Sequence, residues 1–256
     1  MPAELLLAGL WARRRRVALT ALLLFALGAA AILSWPRRYV AEALVAPAET
    51  TGIATSSLLA PSAPVAAVLD PRPSGNFAIY LGKLRSAEAA AMLARETELL
   101  AHLAARRDAF PFGGIRAALG LRRGADLDDA RGWLERSLAV TQTLNAVTWT
   151  VALAHPDRDA ALAMLRRLHD FAESRVRADL EEVARRRVHA LEERLAREPD
   201  MYIRQSLYEL LAQSQRAGLV AAVDEAVAAR LVSAPVVGMR PALPNRPLLL
   251  ALLALL

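Results

Sequence analysis

Four histidines, His102, His155, His169 and His189, are the residues best suited to metal binding or proton transfer in this 256-residue chain, which has no cysteine. They lie in separate segments, with no His-Glu-x-x-His pair and no spacing that closes a metal site. They read as surface or partly buried side chains. Three acids crowd "DLDD": Asp126, Asp128 and Asp129. A calcium loop fails there, because Ala130 and Arg131 replace its third ligand and its glycine, so capping of the following helix explains the acids better. Glu181, Glu182, Glu192 and Glu193 lie beside Arg185 to Arg187 and Arg194, at spacings that on a helix make a solvated, ion-paired face. Paired catalytic carboxylates are the remoter reading. The dinucleotide, P-loop and nucleophile-elbow patterns are all missing from the sequence. The expectation is a protein that is not an enzyme, with no catalytic residue, no cofactor and no metal.

Composition shifts attention to the two ends. Hydrophobic residues make up 55% of the chain, and the excess is terminal, which points to a membrane. The net charge is +6, and of 32 basic residues only Lys83 is a lysine. Such a balance attracts polyanions or acidic lipid without specificity. Arg13 to Arg16 and Arg185 to Arg187 would be the nucleic-acid contacts, but aromatics are only 5% of the chain and none alternates with these runs as a stacking platform would. No nucleic-acid partner is expected.

From Val17 to Trp35 there are 19 residues without a charge. As a helix they span ~28 Å, close to the hydrocarbon thickness of a bilayer. Arg13 to Arg16 precede the run and only Arg37 and Arg38 follow it, so the positive-inside bias leaves residues 1–16 in the cytoplasm, 17–35 in the membrane and the body outside. Trp11 and Trp35 occupy interfacial positions. A cleaved signal peptide, with Ala29 to Ala31 near its cleavage site, is the rival reading.

The body, 36–240, reads as α+β. In "YVAEALVAP" the residues Tyr39, Ala41, Ala43 and Val45 share one face, predicting a strand that starts at the membrane and is stopped by Pro47. The next thirty residues, rich in proline and serine, read as loop. "SAEAAAMLARETELLAHLAARR" predicts one helix with Ser86 as its N-cap, Glu88 in the first turn and Arg106 and Arg107 in the last. "DLDDARGWLERSL" predicts a short helix capped by Asp126. "LAVTQTLNAVTWTVALAHPD" predicts two strands broken near Asn145, or a single bent one. Leu165, Leu168, Ala172, Val176 and Leu180 then mark a long amphipathic helix over about 157–198. A second, over about 202–231, runs back antiparallel through Leu207, Leu211, Val220, Val223 and Val227. The expected architecture is a small mixed sheet near the membrane carrying long antiparallel helices.

The chain closes on "RPALPNRPLLLALLALL". Pro241, Pro244 and Pro247 recur every third residue, the period of polyproline II, and would align along one edge of a stiff rod. Leu248 to Leu256, as a helix, reach only ~14 Å, about half a bilayer. They either cap a soluble core or begin a second transmembrane helix cut short. The proline rod favours the second for 241–256.

In this order of parts the chain resembles the polysaccharide co-polymerase family, the chain-length determinant (Wzz-type) proteins of bacterial inner membranes. Four stretches carry the resemblance. They are "YVAEALVAP" directly after the first membrane helix, "YLGKLRSAEAAAML" with its Leu-x-Ser lead into a helix, "VTWTVALAHPDRDAALAMLRRLHDF", and "SAPVVGMRPALPNRPLLL", where an Ala-Pro step and spaced prolines precede the second membrane helix. The resemblance implies a periplasmic α/β base with outward helices, and copies that assemble into a ring. It implies a regulator of the chain length or export of a lipid-linked surface polysaccharide, O-antigen, capsule or exopolysaccharide. The implied partners are further copies of the chain, the polymerase or export machinery, the glycan polymer and the membrane, with a separate kinase for the kinase-linked kind. The alternative is a membrane-anchored periplasmic helical adaptor or sensor that binds protein. Residue expectations are structural: Pro241, Pro244 and Pro247 fix the rod, and Tyr39 and Ala41 start the membrane-proximal strand.

Overall fold

The computed structural model describes residues 14–34, 36–48, 75–109, 112–120, 122, 124–142 and 148–255. Trp11, Arg13, Trp35, the proline- and serine-rich loop of 49–74 and the break near Asn145 lie outside the described residues. Helix α1, Arg14–Ser34, covers the uncharged run. Leu19, Leu22, Leu23, Leu24, Leu27 and Leu33 all stand exposed along it. The side chains of 14–18 and 21 are not described, and among the described residues no helix is long and apolar enough to cross a membrane.

Strand β1, Tyr39–Pro47, begins five residues after α1 ends. Its alternation works as a strand should: Ala41, Ala43 and Val45 are buried on one face while Glu42 between them is exposed. Strands β2 (Leu138–Gln142), β3 (Trp149–His155) and β4 (Ala229–Val237) complete a sheet of order β2-β3-β1-β4. Every pairing is antiparallel, which corrects the expected mixed sheet. β2 and β1 do run in the same direction, but β3 lies between them, so no parallel ladder forms.

Short helices cover part of the sheet. α2, Gly75–Leu84, starts where the proline- and serine-rich stretch ends, and it buries Phe77, Tyr80 and Leu84. The expected single helix after Ser86 is two, α3 (Ala87–Glu96) and α4 (Leu99–Asp108). Thr97 separates them: it takes an extended backbone, and its hydroxyl returns to the Leu93 carbonyl. Ser86 does cap α3, accepting the Ala89 N–H at 3.1 Å. After α5 (Phe112–Ala118) comes α6 (Leu127–Ser137), whose start explains the acids of "DLDD". Asp126 accepts the Asp129 N–H and Asp129 accepts the Asp126 N–H, both at 3.0 Å, a reciprocal capping box.

Helix α7, Arg158–Arg197, has 40 residues and so extends ~60 Å. Asp157 caps it through the Asp159 N–H at 2.9 Å. As far as Ala184 it buries Ala161, Leu165, Leu168, Ala172, Val176 and Leu180 among the sheet, α2 and the helix that follows it; beyond Ala184 its charged flanks are solvated. Helix α8, Met201–Val223, packs back along it. α8 ends at Val223 rather than near 231, because the chain turns through 224–228 and enters β4. Val223, expected inward, is 79% exposed. The residues that α8 buries are Ser214, Ala217 and Ala221, with Gly218 among them, and a Cβ on Gly218 would stand 3.4 Å from that of Ala184. A seam of small side chains lets the two backbones approach closely, which a hydrophobicity pattern weighted toward large residues does not register.

Candidate functional site

The foot of the sheet is where the expected motif residues meet. Tyr39 pairs with His155, and Ala41, wholly buried, sits between Leu153 and Val237 in the ladder. One residue before Tyr39, Arg38 donates its N–H to the Leu243 carbonyl at 2.8 Å, and its own carbonyl accepts from Ala242 at 3.0 Å and Leu243 at 3.3 Å. The proline segment is therefore fastened to the start of β1. It is not a polyproline rod. That helix leaves its backbone groups free to water; here Ala242 and Leu243 spend theirs on Arg38, and Pro247 lies in the first turn of helix α9, Arg246–Leu255. Pro247 suits that turn because a first-turn N–H has no partner in the helix anyway. Asn245 Oδ1 accepts the Leu248 N–H at 3.4 Å and caps α9.

α9 packs against α1. A Cβ built on Gly28 would fall 3.0 Å from both terminal methyls of Leu253, so the missing side chain is what admits the leucine. Two apolar helices thus leave the same edge of the sheet side by side.

Beside the foot, chain segments far apart in sequence bring two histidines together. The rings of His102, on α4, and His155, at the end of β3, lie 4.8 Å apart, and Trp133 of α6 meets His155 edge-on at 5.9 Å. His155 Nδ1 lies 3.0 Å from the Asp157 backbone nitrogen and 3.1 Å from its carbonyl oxygen, so the Asp157 backbone offers it a donor and an acceptor and holds the ring in place for either tautomer. Among the described residues His155 Nε2 is buried without a partner. A cleft of about 300 Å³ opens here, lined by Glu96, Glu98, His102, His155, Asp157 and Arg167. Burial pulls both imidazoles below their ordinary value; Arg106 adds to this at His102 and His102 at His155, while Asp157 opposes it.

A second polar cluster holds the elbow between α8 and β4. Glu173 of α7, nine-tenths buried, accepts the backbone N–H groups of Val227, Ala228 and Ala229. One turn on, Arg177 donates to the carbonyls of Ala221 at 2.8 Å, Asp224 at 2.7 Å and Glu225 at 3.0 Å, closing the C-terminal end of α8 as a cation should. One turn before Glu173, His169 Nδ1 lies 2.8 Å from the Tyr80 hydroxyl. Burial, Glu173 and Asp170 push the Tyr80 phenol up, and burial pulls His169 down. A groove of about 900 Å³ runs past His169, Glu173, Arg177 and Arg230.

What these groups do is hold backbone: acids meet N–H groups, and a guanidinium meets carbonyls. Among the described residues no group of three or more His, Asp or Glu side chains is arranged to hold a metal ion. Sequence reasoning missed Glu173, Arg177 and the His102–His155 pair. Glu173 carried a signal, since a charged residue within the Ala172 and Val176 stripe of a helix calls for a buried partner. The histidine pair carried none.

No family model matches the chain, and no curated protein sequence does. Solved structures similar to it include a full-length bacterial polysaccharide co-polymerase, 14% identical, covering 98% of this chain and 92% of that one with a TM-score of 0.42. Another is a fragment of WzzB, a polysaccharide co-polymerase from Salmonella Typhimurium, 13% identical, covering 81% of this chain and 100% of that one with a TM-score of 0.39.

Proposed function

We propose that the protein is an inner-membrane polysaccharide co-polymerase, an oligomeric regulator of the chain length or export of a lipid-linked surface polysaccharide, without catalytic chemistry of its own. The observation that carries this reading is the contact between α1 and α9 at the foot of the sheet, at Gly28 and Leu253. Exposed leucines along α1 are costly in water and at home in hydrocarbon. With α1 in the bilayer and residues 1–16 cytoplasmic, the body from 36 to 240 stands in the periplasm. Arg177 marks the far end of β1, because the chain it holds enters β4 opposite Pro47. Twenty further residues of α7 then project ~30 Å past the sheet. A wall of such hairpins around a growing glycan is a way for an assembly, rather than one residue, to set length. The partners in this reading are further copies of the chain, the polymerase or exporter, and the glycan polymer.

The test is a strain lacking the protein. Its surface polysaccharide, run on a gel, should lose its preferred length or its export, and the full-length chain supplied in trans should restore it. An unchanged length distribution and yield would refute the reading.

A further inference from the structure

We propose that Arg38, Arg106 and Arg136 form a binding surface for the phosphates of anionic lipid headgroups at the foot of the sheet. The inference rests on the reading of α1 as a membrane helix, and deepens it.

Three separate elements bring the arginines to one place. Arg38 stands one residue before Tyr39, which pairs with His155. The His102 ring lies 4.8 Å from that of His155, and Arg106 follows His102 by one turn of α4. Trp133 meets the same imidazole at 5.9 Å, and Arg136 follows Trp133 by about one turn of α6. Arg106 and Arg136 are exposed, and Arg38 is half-buried. Burial, then Arg106 and Arg136, pull the Arg38 guanidinium below its ordinary value, so Arg38 feels both of the other cations.

Several acids on or beside these elements already have partners. Glu135 pairs with Arg131 at 3.1 Å, Asp129 pairs with Arg107, and Asp157 caps α7. Asp108 also has a partner. Among the described residues, none of the three arginines makes a salt bridge. Elsewhere on the molecule arginines find acids readily, as Arg186 does with Glu182 at 2.8 Å. A cluster of cations without an acid calls for an anion from outside.

Position chooses the anion. Arg38 lies four residues beyond Ser34, where α1 ends, a reach of at most ~14 Å even fully extended. Its backbone is bridged to Leu243, three residues before α9 begins. With α1 and α9 in hydrocarbon, the three guanidiniums stand at headgroup level. Their planar forks match phosphate oxygens two at a time, and a basic residue at an anionic membrane surface strengthens binding about fivefold, the equivalent of ~1 kcal/mol.

The experiment uses the full chain and two readouts. The first is retention in phosphatidylcholine vesicles after alkaline carbonate extraction, which reports insertion of α1 and is indifferent to the arginines. The second is binding of fluorescent phosphatidylglycerol, against fluorescent phosphatidylcholine, to the protein in neutral detergent. The wild type should prefer phosphatidylglycerol by more than tenfold, less so as salt rises. Arg38→Gln, Arg106→Gln and Arg136→Gln should each lower that preference about fivefold, with circular dichroism unchanged. Arg185→Gln with Arg187→Gln, far along α7, should leave it intact. A triple variant that keeps the preference, or equal binding of the two lipids by the wild type, overturns the proposal while leaving the membrane reading standing. Displacement of the lipid by millimolar inorganic phosphate also overturns it, because the ligand would then be a free anion. Loss of the protein on carbonate extraction sinks both.

Discussion

Both carboxylate oxygens of Glu173 accept the backbone N–H of Ala228, at 3.1 and 3.3 Å. The same carboxylate takes the N–H groups on either side, so three consecutive backbone donors at the mouth of β4 depend on one buried side chain. Buried N–H groups without partners are costly, and removing this carboxylate takes the acceptor from all three. Glu173→Ala should lower stability by about 3 kcal/mol, and Glu173→Gln, which keeps one acceptor oxygen, by roughly half as much. Urea unfolding of the full chain in detergent reads this. A midpoint for Glu173→Ala within error of wild type would show that the elbow is held by something else.

The small-residue seam predicts a change of sign at one position. Gly218 sits inside α8, where glycine costs about 1 kcal/mol relative to alanine. A new Cβ there would rest 3.4 Å from the Ala184 methyl, an ordinary contact. Gly218→Ala should therefore stabilise by up to about 1 kcal/mol, while Gly218→Leu should force the helices apart and destabilise by about 1–3 kcal/mol. If both substitutions moved the urea midpoint the same way, the hairpin would not be packed on this seam.

Several of these features were open to reading from the sequence, and the reason is the same for each: the signal is local. The alternation from Tyr39, the caps at Ser86, Asp126 and Asp157, and the inward stripe from Leu165 to Leu180 all rest on residues within a few positions of one another. What escaped depends on partners far away. β4 is an edge strand that carries Pro235, and only Ala229 and Pro235 of its nine residues are buried, so its own pattern is weak until β1 lies beside it. His102 and His155 are 53 positions apart and meet only because α4 and β3 share the foot of the sheet. Proline spacing misled because three-residue periodicity describes a rod only if no backbone partner intervenes, and Arg38 is that partner.

Two buried histidines, His155 and His169, and the half-buried His102 set the response to acid. Burial pulls His102, His155 and His169 below the ordinary 6.5. As pH falls through that value the unfolded chain takes up protons that the folded chain still resists, so folding loses ground. The urea midpoint should be lower at pH 5 than at pH 7.5, and the difference should shrink in His155→Gln and in His169→Gln. Asp129 does not mimic the effect. The Asp126 N–H and Arg107 hold its carboxyl below the ordinary 3.8, so its contribution is lost only in stronger acid. Equal midpoints at the two pH values would mean that these rings titrate alike in the folded and unfolded chain.

The α1–α9 contact can be tested without disturbing the rest of the molecule, because the chain has no cysteine to interfere. A Cβ at Gly28 falls 3.0 Å from the Leu253 methyls and 3.6 Å from its Cγ, so a cysteine that extends Gly28 and one that shortens Leu253 bring two sulfurs within reach of a disulfide. The double variant Gly28→Cys with Leu253→Cys, in vesicles under mild oxidant, should form an intramolecular bond that shifts its mobility on a non-reducing gel. Pairing Gly28→Cys instead with Leu252→Cys, one position round the helix and exposed, should yield far less of that product. Bonds between copies would appear at twice the mass, which separates them from the expected one. Equal yields of the intramolecular product from the two pairs would mean that α9 has no fixed face toward α1, and the contact on which the membrane reading leans would be gone.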